Sequence, residues 1–196
     1  MLVPYKCGFS TMRAALVTDP KQPIVETLMR PGDSFALAEH TVMFVREPKD
    51  RLKSYYRNWF LEPTHGVGPE QTQFRKAKRL MRPAAFQRLM TASPDERNTS
   101  DFFMEFLYEL GPGIMNDEHT QPLWSILSPC QADVDEVSEI LNFKENIPFL
   151  EKHYGIKQSV KNTSKRLNPD PLDCPELDDY CQRMYGRDYE MFGRYF

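Results

Sequence analysis

The sequence lacks the features that mark membrane proteins, zinc proteins and generic nucleic-acid binders. Its 196 residues contain no apolar run that approaches about 18 residues, and no charged-then-apolar leader opens the chain. The four cysteines show no C-x-x-C spacing and no two histidines stand four residues apart, which argues against a zinc site. The net charge of −3 disfavours a nucleic-acid partner, whose binding surface is normally basic. We therefore expect a cytoplasmic protein with reduced thiols, no membrane span and no metal.

The composition is typical of one compact domain. Hydrophobic residues make up 40% of the chain and aromatic residues 12%. A chain of this length can bury a sizeable core, so we expect residues 1–196 to form a single domain. Until about residue 60 the chain follows an α/β pattern, in which strands alternate with helices.

Later segments predict further elements. Residues 64–83 are polar and basic, which indicates an insertion over the sheet. Residues 98–101 supply caps for a core helix that Gly-Pro-Gly at 111–113 closes. Residues 134–143 contain a later strand, and residues 147–154 are helical with Gly155 as their stop.

A strand followed by a helix delivers an arginine to a ligand-binding position. Residues 41–45 form a β-branched and aromatic run, and Pro48 suits the first turn of a helix. Arg46 then lies at the carboxyl end of the strand, where open α/β sheets bind ligands. Ser54 follows Pro48 by roughly 9 Å along the helix axis, at about 1.5 Å per residue. One phosphate beside this helix could contact both Arg46 and Ser54. Arg51, on the same helix, could be structural or functional.

A second candidate anion site lies near the amino terminus. Residues 2–16 indicate a short strand, a tight loop with one glycine, and the start of a helix. Backbone N–H groups and the helix dipole at such a start bind phosphate or sulfate, and Lys6 adds a charge. The loop is not a Walker A motif, because no Lys-Ser/Thr pair follows its glycine. A nucleotide triphosphatase is therefore disfavoured.

Both segments resemble motifs of the sulfotransferases that use 3′-phosphoadenosine 5′-phosphosulfate (PAPS), specifically the carbohydrate sulfotransferase branch. Residues 46–54 match the R-[DE]-P-x-x-R-L-x-S motif for the 3′-phosphate at every fixed position. Residues 5–11 resemble the 5′-phosphosulfate loop, with Tyr5 where proline is usual. Segments 117–130, 143–147, 162–166 and 185–193 resemble later motifs of that family.

The resemblance implies a fold, a reaction and a set of site residues. The fold would be a three-layer, P-loop-like α/β fold with a central, mostly parallel sheet flanked by helices. The reaction would transfer a sulfuryl group from PAPS to a hydroxyl of a glycan or glycoconjugate, with Lys6 neutralising the leaving phosphate. The implied donor-binding residues are Tyr5, Lys6, Cys7, Gly8, Phe9, Ser10, Thr11, Arg46, Ser54, Lys165 and Arg166.

The general base is left open among the histidines and a carboxylate. An acceptor hydroxyl needs a base within hydrogen-bond reach. His119 stands in the segment that aligns with a family histidine, and we rank it first. His40, just before the strand that ends at Arg46, ranks second, ahead of His65, His153 or a carboxylate.

Three further alternatives also stay open. The basic run at residues 74–82 could bind an anionic glycan or could be a solvated helix face. The protein could instead be a non-catalytic module that binds nucleotide and glycan. A P-loop kinase is a weaker rival, because the Walker lysine is absent.

Overall fold

The computed structural model describes residue 7 and residues 40–61, 72–127, 135, 137–155 and 169–196. These ranges are mostly helical and contain a two-stranded parallel sheet. The strands are β1 (Val42–Val45) and β2 (Glu139–Asn142). The helices are α1 (Pro48–Tyr56), α2 (Thr72–Leu80), α3 (Pro83–Thr91), α4 (Pro94–Arg97), α5 (Ser100–Leu110), α6 (Leu123–Leu127), α7 (Asn146–Tyr154) and α8 (Pro175–Phe192). A π-helical turn, Arg57–Leu61, extends α1, and 3₁₀ turns occupy Gly111–Asn116, Phe143–Glu145 and Gly193–Tyr195.

The sheet confirms both predicted strands and pairs them in parallel. The register aligns Val42 with Glu139 and Val45 with Asn142, so both strands end at the same edge. All four residues of β1 are buried, as their apolar side chains require. The wider central sheet that the resemblance implies is not seen in the described ranges and stays a prediction.

The corner between β1 and α1 forms as the sequence predicts. Pro48 occupies the first turn of α1, where its missing N–H costs no hydrogen bond. Leu52, Tyr55 and Tyr56 form the buried face of the helix. Each such side chain contributes about 1.5–3 kcal/mol by leaving water. This burial fixes α1, which directly follows the carboxyl end of β1, against the helical core.

Two apolar clusters make up the core of the described residues. One surrounds the sheet and includes β1, α6 and α7. The other is formed by helices α1, α2, α5 and α8. The carboxyl-terminal helix α8 contributes to both, with Phe192 in the first cluster and Leu177 in the second. It therefore joins the sheet to the helical part.

Helix ends follow their predicted caps. The Thr99 hydroxyl accepts a hydrogen bond from the Phe102 amide at 3.3 Å and starts α5. The helix ends at Gly111, whose φ of 53° favours glycine. Gly155 closes α7 in the left-handed conformation, with φ 65°. No helix in these ranges has the length and apolar character needed to cross a bilayer.

Ion pairs of two buried cations attach the segment before α8 to α1. Lys53 lies 2.7 Å from a carboxylate oxygen of Asp173 and 3.2 Å from one of Asp170. Arg57, one turn further along, also pairs with Asp170. Burial would lower the pKa of Lys53, but its acidic neighbours outweigh that effect and raise it. Residues 170–173 are thus fixed against α1.

Candidate active site

Arg46 lies where the two parallel strands end together. It directly follows β1, and Phe143 directly follows β2. The guanidinium carbon of Arg46 lies 4.4 Å from the centroid of the Phe143 ring, within the range of a cation–π contact. Ser54 is half-buried on α1. The structure thus brings a positive charge to the sheet edge that the sequence predicted for a phosphate.

Cys7 is the one described member of the predicted 5–11 loop. Its side chain is fully buried in the sheet cluster, and the backbone N–H of Arg46 donates to its sulfur. Burial raises the pKa of the Cys7 thiol, although the charges of Arg51 and Arg46 oppose the rise. Cys7 is therefore a neutral core thiol that touches the end of β1. The other predicted donor residues outside the described ranges are Tyr5, Lys6, Gly8, Phe9, Ser10, Thr11, Lys165 and Arg166.

His119 forms a close pair with Asp117. Its ring Nδ1 lies 2.9 Å from Oδ1 of Asp117, whose same oxygen accepts the His119 backbone N–H at 2.9 Å. The amide nitrogen of Gln73 lies 3.3 Å from the same Nδ1. Lys76 donates to the second Asp117 oxygen at 2.7 Å. The His119 side chain is 11% exposed.

The charge of Asp117 favours a proton on Nδ1 of His119. Burial would raise the pKa of Asp117, but hydrogen bonds from His119 and Lys76 outweigh it and lower the pKa to about 2. The carboxylate is therefore ionised at neutral pH and can only accept a hydrogen bond. A proton on Nδ1 can donate to this carboxylate, and that tautomer leaves on Nε2 the lone pair that a general base needs.

Two buried side chains hold the turn that carries His119. The Nη2 group of Arg51 donates to the Gln121 carbonyl at 2.9 Å, and the Tyr185 hydroxyl donates to the Thr120 carbonyl at 2.8 Å. Arg51 is 1% exposed. Of the two roles open to it, the structure shows the structural one. Helices α1 and α8 thus fix the His119 turn together.

A buried carboxylate then fixes helix α6. Asp188 is 0% exposed and accepts the backbone N–H groups of Leu123 and Trp124 at 2.8 and 3.0 Å. Burial raises the pKa of Asp188, although the positive charge of Arg51 opposes the rise. Asp188 belongs to the 185–193 segment that resembles the family's terminal motif. Its role here is to cap α6 at the helix N-terminus.

A cleft of about 220 Å³ opens between α2 and the turn after α5. Its lining includes Tyr55, Lys76, Arg79, Leu80, Ile114 and Asp117. The cleft therefore touches the His119 pair through Asp117. Its wall combines polar and apolar side chains, as small-molecule sites commonly do.

The predicted basic run lies on α2. Phe74 and Ala77 are buried, whereas Arg75, Lys78 and Arg79 are exposed. No acidic group of the described ranges forms an ion pair with these three cations. The helix thus combines a core face with a basic face beside the cleft.

The structure does not bring His40 to Arg46. His40 is exposed and lies 3.5 Å from Glu139 at the amino end of the sheet. The length of β1, roughly 13 Å at about 3.3 Å per residue, separates it from the Arg46 edge. His153 is exposed on α7 and stacks on Phe149, and residue 65 lies outside the described ranges.

A match to one protein-family model shows which family the chain belongs to. The model of sulfotransferase family 2, described as a sulfotransferase family, matches residues 21–195. The chain belongs to the sulfotransferase family. Comparisons with curated proteins and with solved structures gave no match. The family match begins after residues 5–11, so it includes the Arg46 motif of this sulfotransferase but not its predicted phosphosulfate loop.

Sequence reasoning missed two contacts of this sulfotransferase site. Asp117 lies in segment 117–130, but the sequence does not predict its pairing with His119. The Asp-x-His spacing is the signal that could have found it, because a tight turn brings such residues together. Phe143 lies in segment 143–147, and its contact with Arg46 depends on the strand register. No group of three or more metal-ligating side chains converges in the described ranges, and a metal-free sulfotransferase stays a prediction.

The Asp117 pair predicts a specific loss of stability in acid. The pKa of Asp117 is lowered from 3.8 to about 2, so its stabilisation is complete above pH 4 and is lost as pH falls toward 2. The loss is on the order of 2 kcal/mol in the free energy of unfolding. The free energy of unfolding, measured with urea at pH 6 and pH 2.5, should fall less for Asp117→Asn than for the wild type. The control Asp179→Asn changes an exposed carboxylate, so its free energy of unfolding should fall as much as that of the wild type. Equal losses in all three proteins would refute the stabilising role of Asp117.

Proposed function

We propose that this sulfotransferase transfers a sulfuryl group from PAPS to a hydroxyl of a carbohydrate, within one domain and without a metal. The observation that carries the proposal is Arg46 at the shared end of two parallel strands, inside a motif that fits at every fixed position. A guanidinium at a strand end suits a phosphate, because its planar N–H donors match the phosphate oxygens.

Donor binding would use three parts of the chain. Arg46 and Ser54 would hold the 3′-phosphate, and residues 5–11 with Lys6 would hold the 5′-phosphosulfate. The contact between Cys7 and the backbone of Arg46 supports this, because it joins the two segments. Lys165 and Arg166 would close over the nucleotide. Asp170 follows Arg166 by four residues and is bound to α1, which supports that part of the proposal.

His119 would act as the general base. When bound, PAPS supplies an activated sulfuryl group, and 3′-phosphoadenosine 5′-phosphate (PAP) is the leaving group. Nε2 of His119 would take the proton of the acceptor hydroxyl as the new oxygen–sulfur bond forms. The ionised Asp117 beside Nδ1 would stabilise the resulting imidazolium. Lys6 would neutralise charge on the departing phosphate.

The acceptor would bind in the cleft beside α2. Lys76 and Asp117 in its wall offer hydrogen bonds for sugar hydroxyls, and Leu80 and Ile114 offer apolar surface. The exposed cations of α2 favour a glycan that carries carboxylate or sulfate groups. The alternative, a module that binds nucleotide and glycan without transfer, is favoured by the low exposure of His119, 11%.

Comparing two nucleotides tests donor recognition. PAP should raise the melting temperature more than AMP, which lacks the 3′-phosphate that Arg46 and Ser54 would bind. A ligand at a hundredfold excess over its dissociation constant adds roughly 2.7 kcal/mol of stability. Equal melting shifts for PAP and AMP, measured at equal concentrations, would count against the proposed donor site.

A further inference from the structure

The parallel register sets Phe143 against Arg46. Val45 pairs with Asn142, so Arg46 and Phe143 are the residues that directly follow the paired ends of β1 and β2. Neighbouring strands lie about 4.8 Å apart, a spacing that suits a side-chain pair of this kind. The guanidinium carbon lies 4.4 Å from the ring centroid. The contact is therefore a direct consequence of how the two strands pair.

The backbone on either side of Phe143 is fixed by Asn142. The Nδ2 group of Asn142 donates to the Tyr195 carbonyl at 2.8 Å, and its Oδ1 accepts from the Lys144 amide at 3.0 Å. The second bond caps the 3₁₀ turn that begins at Phe143. The ring also packs against the sheet cluster. Phe143 thus offers Arg46 a fixed surface.

An aromatic face constrains a guanidinium in a way that suits anion recognition. The attraction acts through the face of the guanidinium, while its N–H donors lie in its plane. A bidentate contact with a phosphate uses that plane. If the aromatic ring already holds the guanidinium plane in this orientation, the arginine side chain loses less conformational entropy when the phosphate binds.

We infer that Phe143 is a positioning residue that orients Arg46 and thereby sets the selectivity for the 3′-phosphate of the donor. The inference rests on the proposed function, because it takes Arg46 as the 3′-phosphate ligand. It adds a residue to the site that acts only through Arg46. Phe143 should therefore affect a nucleotide with a 3′-phosphate and leave a nucleotide without one unaffected.

Calorimetric titration of Phe143→Leu with PAP and with AMP tests this inference. Affinity for PAP should fall by about 3- to 30-fold, the range of a cation–π contact, while affinity for AMP stays at the wild-type value. Phe143→Tyr keeps the ring and should restore PAP affinity. The matched control is Tyr154→Leu, which removes another partly buried ring from the same cluster and should change neither affinity.

The outcomes separate this inference from the proposed function. A wild-type protein that does not prefer PAP to AMP overturns the proposed function. A wild-type preference that Phe143→Leu keeps unchanged overturns only the role of Phe143. Equal losses for PAP and AMP also overturn that role, because they show a general structural effect. If the leucine variant fails to fold, Phe143→Met supplies a ringless side chain of similar reach for the same titration.

Discussion

Replacing His119 by alanine should lower turnover by about 10²–10⁴-fold while affinity for PAP stays near the wild-type value. The reason is that, in the proposed mechanism, Nε2 would accept the proton of the acceptor hydroxyl and would not bind the donor. The profile of turnover against pH should lose its acidic limb, because that limb reports protonation of the base. Turnover is measured at saturating PAPS between pH 5.5 and pH 9.

His40→Ala is the matched control for this experiment. His40 is exposed at the amino end of the sheet, so its loss should leave both turnover and pH profile unchanged. A flattened profile for His40→Ala with an unchanged one for His119→Ala would transfer the role to His40. Unchanged profiles for both variants would assign it to another group, with a carboxylate the next candidate.

Replacing Arg46 by alanine should weaken PAP binding by about 10- to 150-fold, the range for hydrogen bonds to a charged group. AMP binding should change little, because AMP lacks the phosphate that Arg46 would contact. Ser54→Ala should act in the same direction with a smaller loss, since a neutral hydroxyl makes a weaker bond. Dissociation constants for PAP and AMP measure both effects.

Arg75→Ala is the control for charge alone. Arg75 is an exposed arginine on α2, and its loss should leave PAP affinity unchanged. Melting temperatures show whether Arg46→Ala still folds. A strongly lowered melting temperature for Arg46→Ala, with the PAP affinity of the folded protein unchanged, would assign Arg46 to a structural contact at the sheet edge instead.

Local patterns predicted the elements near Arg46 well. The structure confirms three of them: the strand in the β-branched run before Arg46, the helix start at Pro48 and the helix end at Gly155. Each of these signals acts through the neighbouring backbone. The later strand within residues 134–143 also appears, as β2. Such features depend on steric and hydrogen-bonding rules that operate within a few residues.

The contacts that define the site depend on tertiary structure and could not be predicted in this way. Arg46 and Phe143 are neighbours because of a register between strands far apart in the chain. Arg51 looked as suited to solvent as to a ligand, yet it is buried against the Gln121 carbonyl. His40 stands close to Arg46 in the sequence, but the intervening strand β1 places the two residues at opposite ends of the sheet.

Transfer of labelled sulfate tests the central claim most directly. The purified protein would be incubated with PAPS labelled in its sulfuryl group, a chelator, and a panel of neutral, uronic-acid and sulfated glycans. We expect label on a glycan hydroxyl, a preference for anionic glycans, and loss of transfer in His119→Ala. Intact PAP binding with no label on any glycan would contradict the account and leave a non-catalytic binding module.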